Sequence, residues 1–498
     1  MCFLRQFGII AVLAAGRCAF GETPGCPAGV FLTFEAGRLA AVNWVEHSGK
    51  RIHSRVIQNR SQITDAVIDL RSDGTAAHSS VSNAVAGQTE EPAKTERDFA
   101  EESVYWSPRI PSSIEHAVDR ARILGKGLIH LPGASLYNDS RSDITVERVS
   151  NRDWVLWYQD KKYLVLTDEK GCMISATLPD YGVTIERRAQ FRAADYAAWP
   201  PYGAPPEGPY RAIEVSIPAE QGHVLSGTLT IPVGKNNVPA AVLITGLSPH
   251  ERNNGEAPWM PFRDIADFLT RAGIAVLRVD DRGVAKSTGD KTTYTTFDKA
   301  EDVRTEVAWL RARPGIDRRR IMLVGYSEGG LIAPMVAAKD PAIAAVITLA
   351  GPGVPGMEVA RYQVAQPILK DTSIPTAEKE NRISKELSEA LKDLSAHERS
   401  FLSIDPESYD ARVRCPALII HGGADATVPV RSAERIAAAM RSGGNRDVTV
   451  RIYPGISHAL LPDPVGLPSG WSALPTFLTA PDILDEITRW SVARLVTN

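Results

Sequence analysis

From residue 209 onward the apolar positions follow two alternating patterns. Short continuous apolar runs occur at 240–246 (AAVLITG), 274–279 (IAVLRV), 321–324 (IMLV), 342–350 (AIAAVITLA), 417–420 (ALII) and 448–453 (VTVRIY). Runs of this length, rich in β-branched residues and bounded by turn residues, predict strands buried on both faces. Between them the apolar residues recur every three or four positions. Phe262, Ile265 and Leu269 precede Gly273; Ala300, Val303, Val307 and Leu310 stop before Pro314; Ala433, Ile436, Ala437 and Met440 stop before Gly443; Ile483, Ile487 and Trp490 form a last group. That spacing predicts helices. Strand alternating with helix predicts an α/β fold, a mostly parallel sheet with helices on both faces and right-handed crossovers.

The front of the chain has another rhythm. Residues 145–149, 154–158, 163–167, 173–177 and 183–187 alternate apolar and polar positions between Asp, Asn, Gly and Lys turns, which predicts hairpins and an antiparallel sheet. One helix is expected at 114–124, and the polar, acidic stretch 75–103 is expected to be a loop or disordered. The sequence WPPYGAPPEGP at 199–209 predicts a stiff, extended linker. The expected organisation is therefore a smaller antiparallel β-rich domain over 22–199, a Pro-rich linker over 200–208 and an α/β domain over 209–498. The β-rich part carries no catalytic motif that we recognise.

Chemistry enters at Gly325-Tyr326-Ser327-Glu328-Gly329-Gly330, directly after the apolar run 321–324. Glycines on both sides of a serine, between a strand and a helix, suit a strained turn that presents the hydroxyl at the carboxyl edge of a sheet. A serine hydroxyl needs a base to take its proton, and the base needs a third group to hold its tautomer. Asp425 follows the run 417–420, and His458 follows the run 448–453; it is the one histidine after Asp425. Three loops would then bring Ser327, Asp425 and His458 to one edge of the sheet. His421 is the rival base, but it continues its strand and is read as structural. Asp280, Asp281 and Arg282 end the strand at 274–279 and are read as loop-stabilising charges, and His250 and Glu251 as a solvated turn beside the site.

These motifs, with LSGTLTIP (225–232), IAVLRVDDRGVAKSTGD (274–290), ALIIHGGADATVP (417–429) and YPGISHALL (453–461), make residues 209–498 resemble the α/β-hydrolase superfamily. The resemblance is greatest to bacterial serine carboxylesterases with a Gly-x-Ser-Glu-Gly-Gly elbow. It implies the α/β-hydrolase fold and an oxyanion hole made by the backbone N–H groups of Leu247 and Glu328. Two departures stand out: Ser457 where asparagine is expected before the histidine, and GLSPH at 246–250 where a Gly/Ser-rich turn is expected. An insertion at about 352–413 separates the strands at 342–350 and 417–420, with Ile383, Leu387, Leu391 and Leu394 at helical spacing. It is expected to be a helical cap, either roofing the site or facing solvent, with Met357, Tyr362 and Phe401 as candidate pocket residues.

Residues 1–21 place Arg5 before an apolar stretch and end Ala19-Phe20-Gly21, the pattern of a signal peptide, so a periplasmic or extracellular location is expected. Export makes disulfides possible, and of the five cysteines, Cys26 and Cys172 are expected to pair because both fall in the first domain. Charge changes little: 56 Lys and Arg against 59 Asp and Glu leave a net charge of −3 with no basic stripe, which argues against a nucleic-acid partner. No Gly-rich phosphate loop, Cys-x-x-Cys cluster or His-Glu-x-x-His pattern is present, and no membrane span is expected, so neither cofactor nor metal is expected. The reading is a secreted serine carboxylesterase acting on a small-molecule ester. The alternatives are a serine peptidase or acyl-CoA thioesterase on the same fold, and a binding protein that kept the fold without the chemistry.

Overall fold

The computed structural model describes residues 26–125 and 127–496. The segment read as a signal peptide lies outside the described residues. Two sheets organise the chain. The second has eight strands, in the order Tyr210–Pro218, Val224–Pro232, Ala275–Val279, Val238–Ile244, Ile316–Tyr326, Ala345–Leu349, Ala417–Gly422 and Val448–Tyr453. Tyr210–Pro218 pairs antiparallel with Val224–Pro232, which pairs antiparallel with Ala275–Val279, and from Ala275–Val279 onward every pairing is parallel. This order, with helices on both faces, is the α/β-hydrolase fold.

The apolar runs form its centre because each is covered twice. Residues at 321–324 are completely buried; Leu323 packs with the helices Thr296–Arg311 and Arg431–Ser442 on one side, and Met322 with Pro261–Arg271 and Pro481–Leu495 on the other. Sheet registers such as Met322 opposite Ala241 and Ala345 align the carboxyl ends of neighbouring strands. Thr295 starts the helix Thr296–Arg311 with a capping box closed by Asp298, which satisfies two N-terminal donors.

The first sheet has thirteen strands, antiparallel except where Val104–Trp106 pairs parallel with Leu128–Ser135. From Gly29–Glu35, five strands run outward to Lys94–Asp98 on one side, and Val183–Arg188, its neighbour at the centre of the sheet, leads back through six more to Val104–Trp106 on the other. The two edge strands are joined by residues 99–103 alone, and five residues span at most about 18 Å. The sheet must therefore curl until its edges approach. The helix Pro111–Leu124 fills the curl: Ile114, Ala117, Val118 and Ala121 share one core with Phe31, Val56 and Ile68 from one half and Leu156, Tyr163 and Ile185 from the other. Pro111 at its first turn begins this helix before the expected position 114.

The stretch 75–103 departs from expectation. It contains the ten-residue strand Ala76–Val85 and the edge strand Lys94–Asp98. His78, Ser80 and Ser82 sit at partly exposed positions and Asn83 is exposed, while Ala76, Ser79 and Val81 are buried. The charges of Lys94, Glu96 and Asp98 lie on the exposed side of an edge, where they discourage further strand pairing.

The two halves are in contact over a wide front. Ala459, Leu461, Ala473 and Leu474 of the hydrolase half belong to the hydrophobic core of the curled sheet. Around them Arg263 donates to the carbonyl of Asn59 at 2.7 Å, Asn59 donates to Asp264 at 3.2 Å, and Thr479 donates to Asp264 at 2.9 Å. The Pro-rich segment is pinned between the halves. Trp199 donates its backbone N–H to Arg60 at 2.9 Å and stacks under the Arg263 guanidinium at 4.2 Å, while Asn253 reaches the carbonyl of Pro201. Cys26 and Cys172 form a disulfide, as expected, and Cys415 is free. Among the described residues no helix is long and apolar enough to cross a membrane.

The cap consists of the helices Gly356–Lys370, Thr376–Ala390, Ala396–Leu402 and Glu407–Asp410. Of the expected stripe only Ile383 is buried, against Ala365 and Ile368. Phe401 is part of the main core rather than a pocket wall, and Met357 is exposed.

Candidate active site

Ser327 stands between the strand Ile316–Tyr326 and the helix Gly329–Ala337 with φ at 54°. A non-glycine residue in the left-handed region is strained, and it is held here by contacts on both sides. Its N–H donates to Leu349 at 2.8 Å and its carbonyl accepts from Gly330 at 2.8 Å. The flanking glycines are required by space: a Cβ on Gly325 would lie 1.8 Å from the carbonyl oxygen of Gly329, and one on Gly329 would lie 2.1 Å from that of Ile244.

His458 follows the strand Val448–Tyr453, in a turn where Ser457 donates its N–H to Leu461 at 3.0 Å. Its Nε2 lies 3.0 Å from Ser327 Oγ and its Nδ1 lies 2.8 Å from Asp425 Oδ2. A carboxylate only accepts, so Nδ1 carries the proton and Nε2 faces the serine hydroxyl with a free lone pair. Tyr326 fixes the loop by donating its hydroxyl to the carbonyl of His458 at 2.9 Å, with the two rings 5.2 Å apart.

Asp425 lies beyond the strand Ala417–Gly422 and is saturated with donors. Oδ1 accepts the N–H groups of Thr427 and Val428, each at 2.8 Å. Oδ2 faces His458 and also His421 Nε2 at 3.2 Å. Burial would raise the Asp425 carboxyl, but the two imidazoles beside it, His458 foremost and then His421, hold it well below the usual carboxylate range. His421 Nε2 lies between the Asp425 carboxylate and the Val428 carbonyl, both acceptors, so it donates. It braces the acid, and His458 alone of the two reaches Ser327. Tyr362 of the cap adds a hydrogen bond to the Asp425 carbonyl at 2.8 Å.

The turn after the strand Val238–Ile244 passes directly over the serine; a Cβ on Gly246 would lie 3.3 Å from Ser327 Cβ. Among the described residues the N–H groups of Leu247 and Glu328 have no other acceptor. The turn is held from behind. Asn254 accepts from the Gly246 N–H at 2.8 Å, His250 Nε2 lies 2.9 Å from the Leu247 carbonyl, and Asp281 accepts from Thr245 and from the His250 N–H. His250 is therefore a brace for the turn, and burial beside Lys299 lowers its pKa. Asp280 forms a fully buried pair with Arg252 at 2.7 Å, and Arg282 pairs with Asp302. Glu251 is exposed and accepts from Tyr202.

Sequence reasoning missed Tyr326, Thr296, Lys299 and His397. The Glu328 side chain points away from the serine into a buried cluster, where it accepts from Thr296 at 2.6 Å and from His397 at 2.8 Å. Burial opposes its ionisation, yet the His397 hydrogen bond and the Lys299 charge hold its pKa below the usual value. A buried polar residue inside the elbow motif was the available signal, since such a group needs partners.

Residues 261–465, which include Ser327, Asp425 and His458, match the prolyl oligopeptidase family. The chain is 27% identical over 275 residues to the esterase EstD of Thermotoga maritima, covering 54% of this chain and 65% of that protein. It is 30% identical over 95 residues to the thiohydrolase apmlB of Arthrinium phaeospermum, covering 19% of this chain and 31% of that one. The chain thus spans less than two-thirds of the length of the curated relatives it matches. Among solved structures it is similar to Est1E of Butyrivibrio proteoclasticus with ferulic acid bound, at 19% identity and a TM-score of 0.41, covering 56% of this chain and 98% of that one. The fold assignment rests on the strand order and the elbow rather than on that likeness.

Proposed function

We propose that the protein is an exported serine hydrolase that cleaves carboxylic esters of small molecules. The observation that carries this reading is the unbroken line from Asp425 Oδ2 through His458 to Ser327 Oγ, at 2.8 and 3.0 Å, at the edge of the sheet. Ser327 Oγ attacks the ester carbonyl as His458 Nε2 takes its proton, and the Leu247 and Glu328 N–H groups receive the developing oxyanion. The protonated imidazole, held by Asp425, then delivers the proton to the leaving alcohol. A water, deprotonated by His458 in turn, releases the acyl group from Ser327. The similarity to EstD supports an ester as substrate. The Cys26–Cys172 disulfide supports an oxidising compartment.

The match to the prolyl oligopeptidase family favours a second reading, cleavage of a peptide bond by the same residues. A hydrolysis screen across p-nitrophenyl esters, aminoacyl anilides and acyl-CoAs decides between them. Ester turnover that disappears in Ser327→Ala is expected; turnover confined to the anilides would replace the carboxylesterase reading with a peptidase.

A further inference from the structure

Lys299 lies in the first turn of the helix Thr296–Arg311 and is 2% exposed. Its ammonium makes three contacts. It donates to the carbonyl of Gly246 at 2.6 Å, pairs with Asp281 at 2.9 Å and lies 3.6 Å from Glu328 Oε2. The Gly246 carbonyl and the Leu247 N–H belong to one peptide plane, so a cation on the oxygen side fixes where the hydrogen points. It also polarises that peptide, because hydrogen bonds in series strengthen one another in a low-dielectric interior. The second candidate donor, the Glu328 N–H, belongs to the residue whose carboxylate lies on the other side of the same ammonium.

We propose that Lys299 is the positioning residue of the oxyanion hole, tying its two arms together from behind and strengthening the Leu247 donor as negative charge develops. The inference rests on the serine-hydrolase reading of Ser327. Lys299 lies behind the Gly246–Leu247 peptide, on its carbonyl side, and acts through the backbone. Its partners are themselves anchored: Asp281 by Thr245 and the His250 N–H, Glu328 by Thr296 and His397. Two buried carboxylates keep the ammonium compensated, and a side chain required only for charge balance would have no need of the short bond to the Gly246 oxygen.

The test compares the wild-type protein with Lys299→Met on a p-nitrophenyl ester and on an alkyl trifluoromethyl ketone. The ketone adds to the serine as a tetrahedral oxyanion and so reports on the hole. Loss of one oxyanion donor costs about 10²–10³ in turnover, and misorienting one is expected to cost about tenfold to a hundredfold. The expected result is a fall of that size in kcat, a KM within about twofold of wild type, and a ketone affinity weakened by the same factor as kcat/KM. A purely structural lysine would change stability while leaving ketone affinity and kcat in the folded fraction as they were, and that outcome overturns the proposal. Should K299M fail to fold because Asp281 is left unpaired, the double variant K299M/D281N is compared with D281N on the same two measurements, with the same criteria. A wild-type protein that neither turns over esters nor labels with a fluorophosphonate overturns the reading of the site, and the lysine proposal falls with it. Normal wild-type turnover with an unaffected, folded K299M protein removes the lysine proposal alone.

Discussion

Asp425 shares one carboxylate oxygen between two imidazoles, and only one of them reaches the serine. His458→Ala is therefore expected to lower kcat by several powers of ten. His421→Ala, which removes a brace and leaves the base, is expected to cost on the order of tenfold, with both read from steady-state kinetics. Equal losses would mean that His421 takes part in proton transfer. Ser327, the proposed nucleophile, is also strained. Ser327→Ala should abolish turnover with the fold intact, and Ser327→Gly, which relieves the positive φ, should be about 1 kcal/mol more stable than Ser327→Ala in urea unfolding. At this scale the sequence was most legible where a residue type has few uses, as with a glycine-flanked serine or a histidine after a strand. Lys299 and His397 were hidden because nothing local distinguishes a lysine or a histidine on a charged helix from its solvated neighbours until the fold folds them inward.

Among the elements, the elbow leaves no margin. Gly329→Ala would drive its methyl group against the Ile244 carbonyl at the centre of the parallel sheet, where neither strand nor helix is free to move. The expected loss is about 3 kcal/mol or more, seen as a lowered urea midpoint together with lost activity, because the same shift displaces Ser327. Periodicity located the helices Pro261–Arg271, Thr296–Arg311, Arg431–Ser442 and Pro481–Leu495 because each lies on one face of the sheet and turns an apolar stripe to it. It failed at residues 75–103 for a physical reason. A strand at the rim of a curled sheet buries few residues and carries Ser, Asn and charged side chains on its open side, so its composition resembles that of a loop.

For the molecule as a whole, the contact between the halves should respond to pH. Glu35, at the end of the strand Gly29–Glu35 of the curled sheet, accepts a hydrogen bond from Thr476 of the hydrolase half and is fully buried, and burial raises its pKa to about 8. In the unfolded chain the same carboxyl titrates near 4.5, so between those values the native state holds a proton that the unfolded state has lost. Its contribution to stability is complete below about pH 4.5 and is lost as pH rises through about 8. Glu35→Gln should accordingly flatten the fall in stability across that window, measured as unfolding free energy against pH; an unchanged slope would show that another group sets it.

The sharing of Ala459, Leu461, Ala473 and Leu474 with the front sheet also bears on how the protein is made. A ribosome delivers the thirteen strands and their helix long before it delivers these four side chains, so the curled sheet must wait, with part of its apolar lining uncovered, for a segment that follows the histidine of the active site. Closing that lining and seating His458 are then a single late event, and a nascent chain cannot hydrolyse anything until its first-made half has been sealed by its last-made loop.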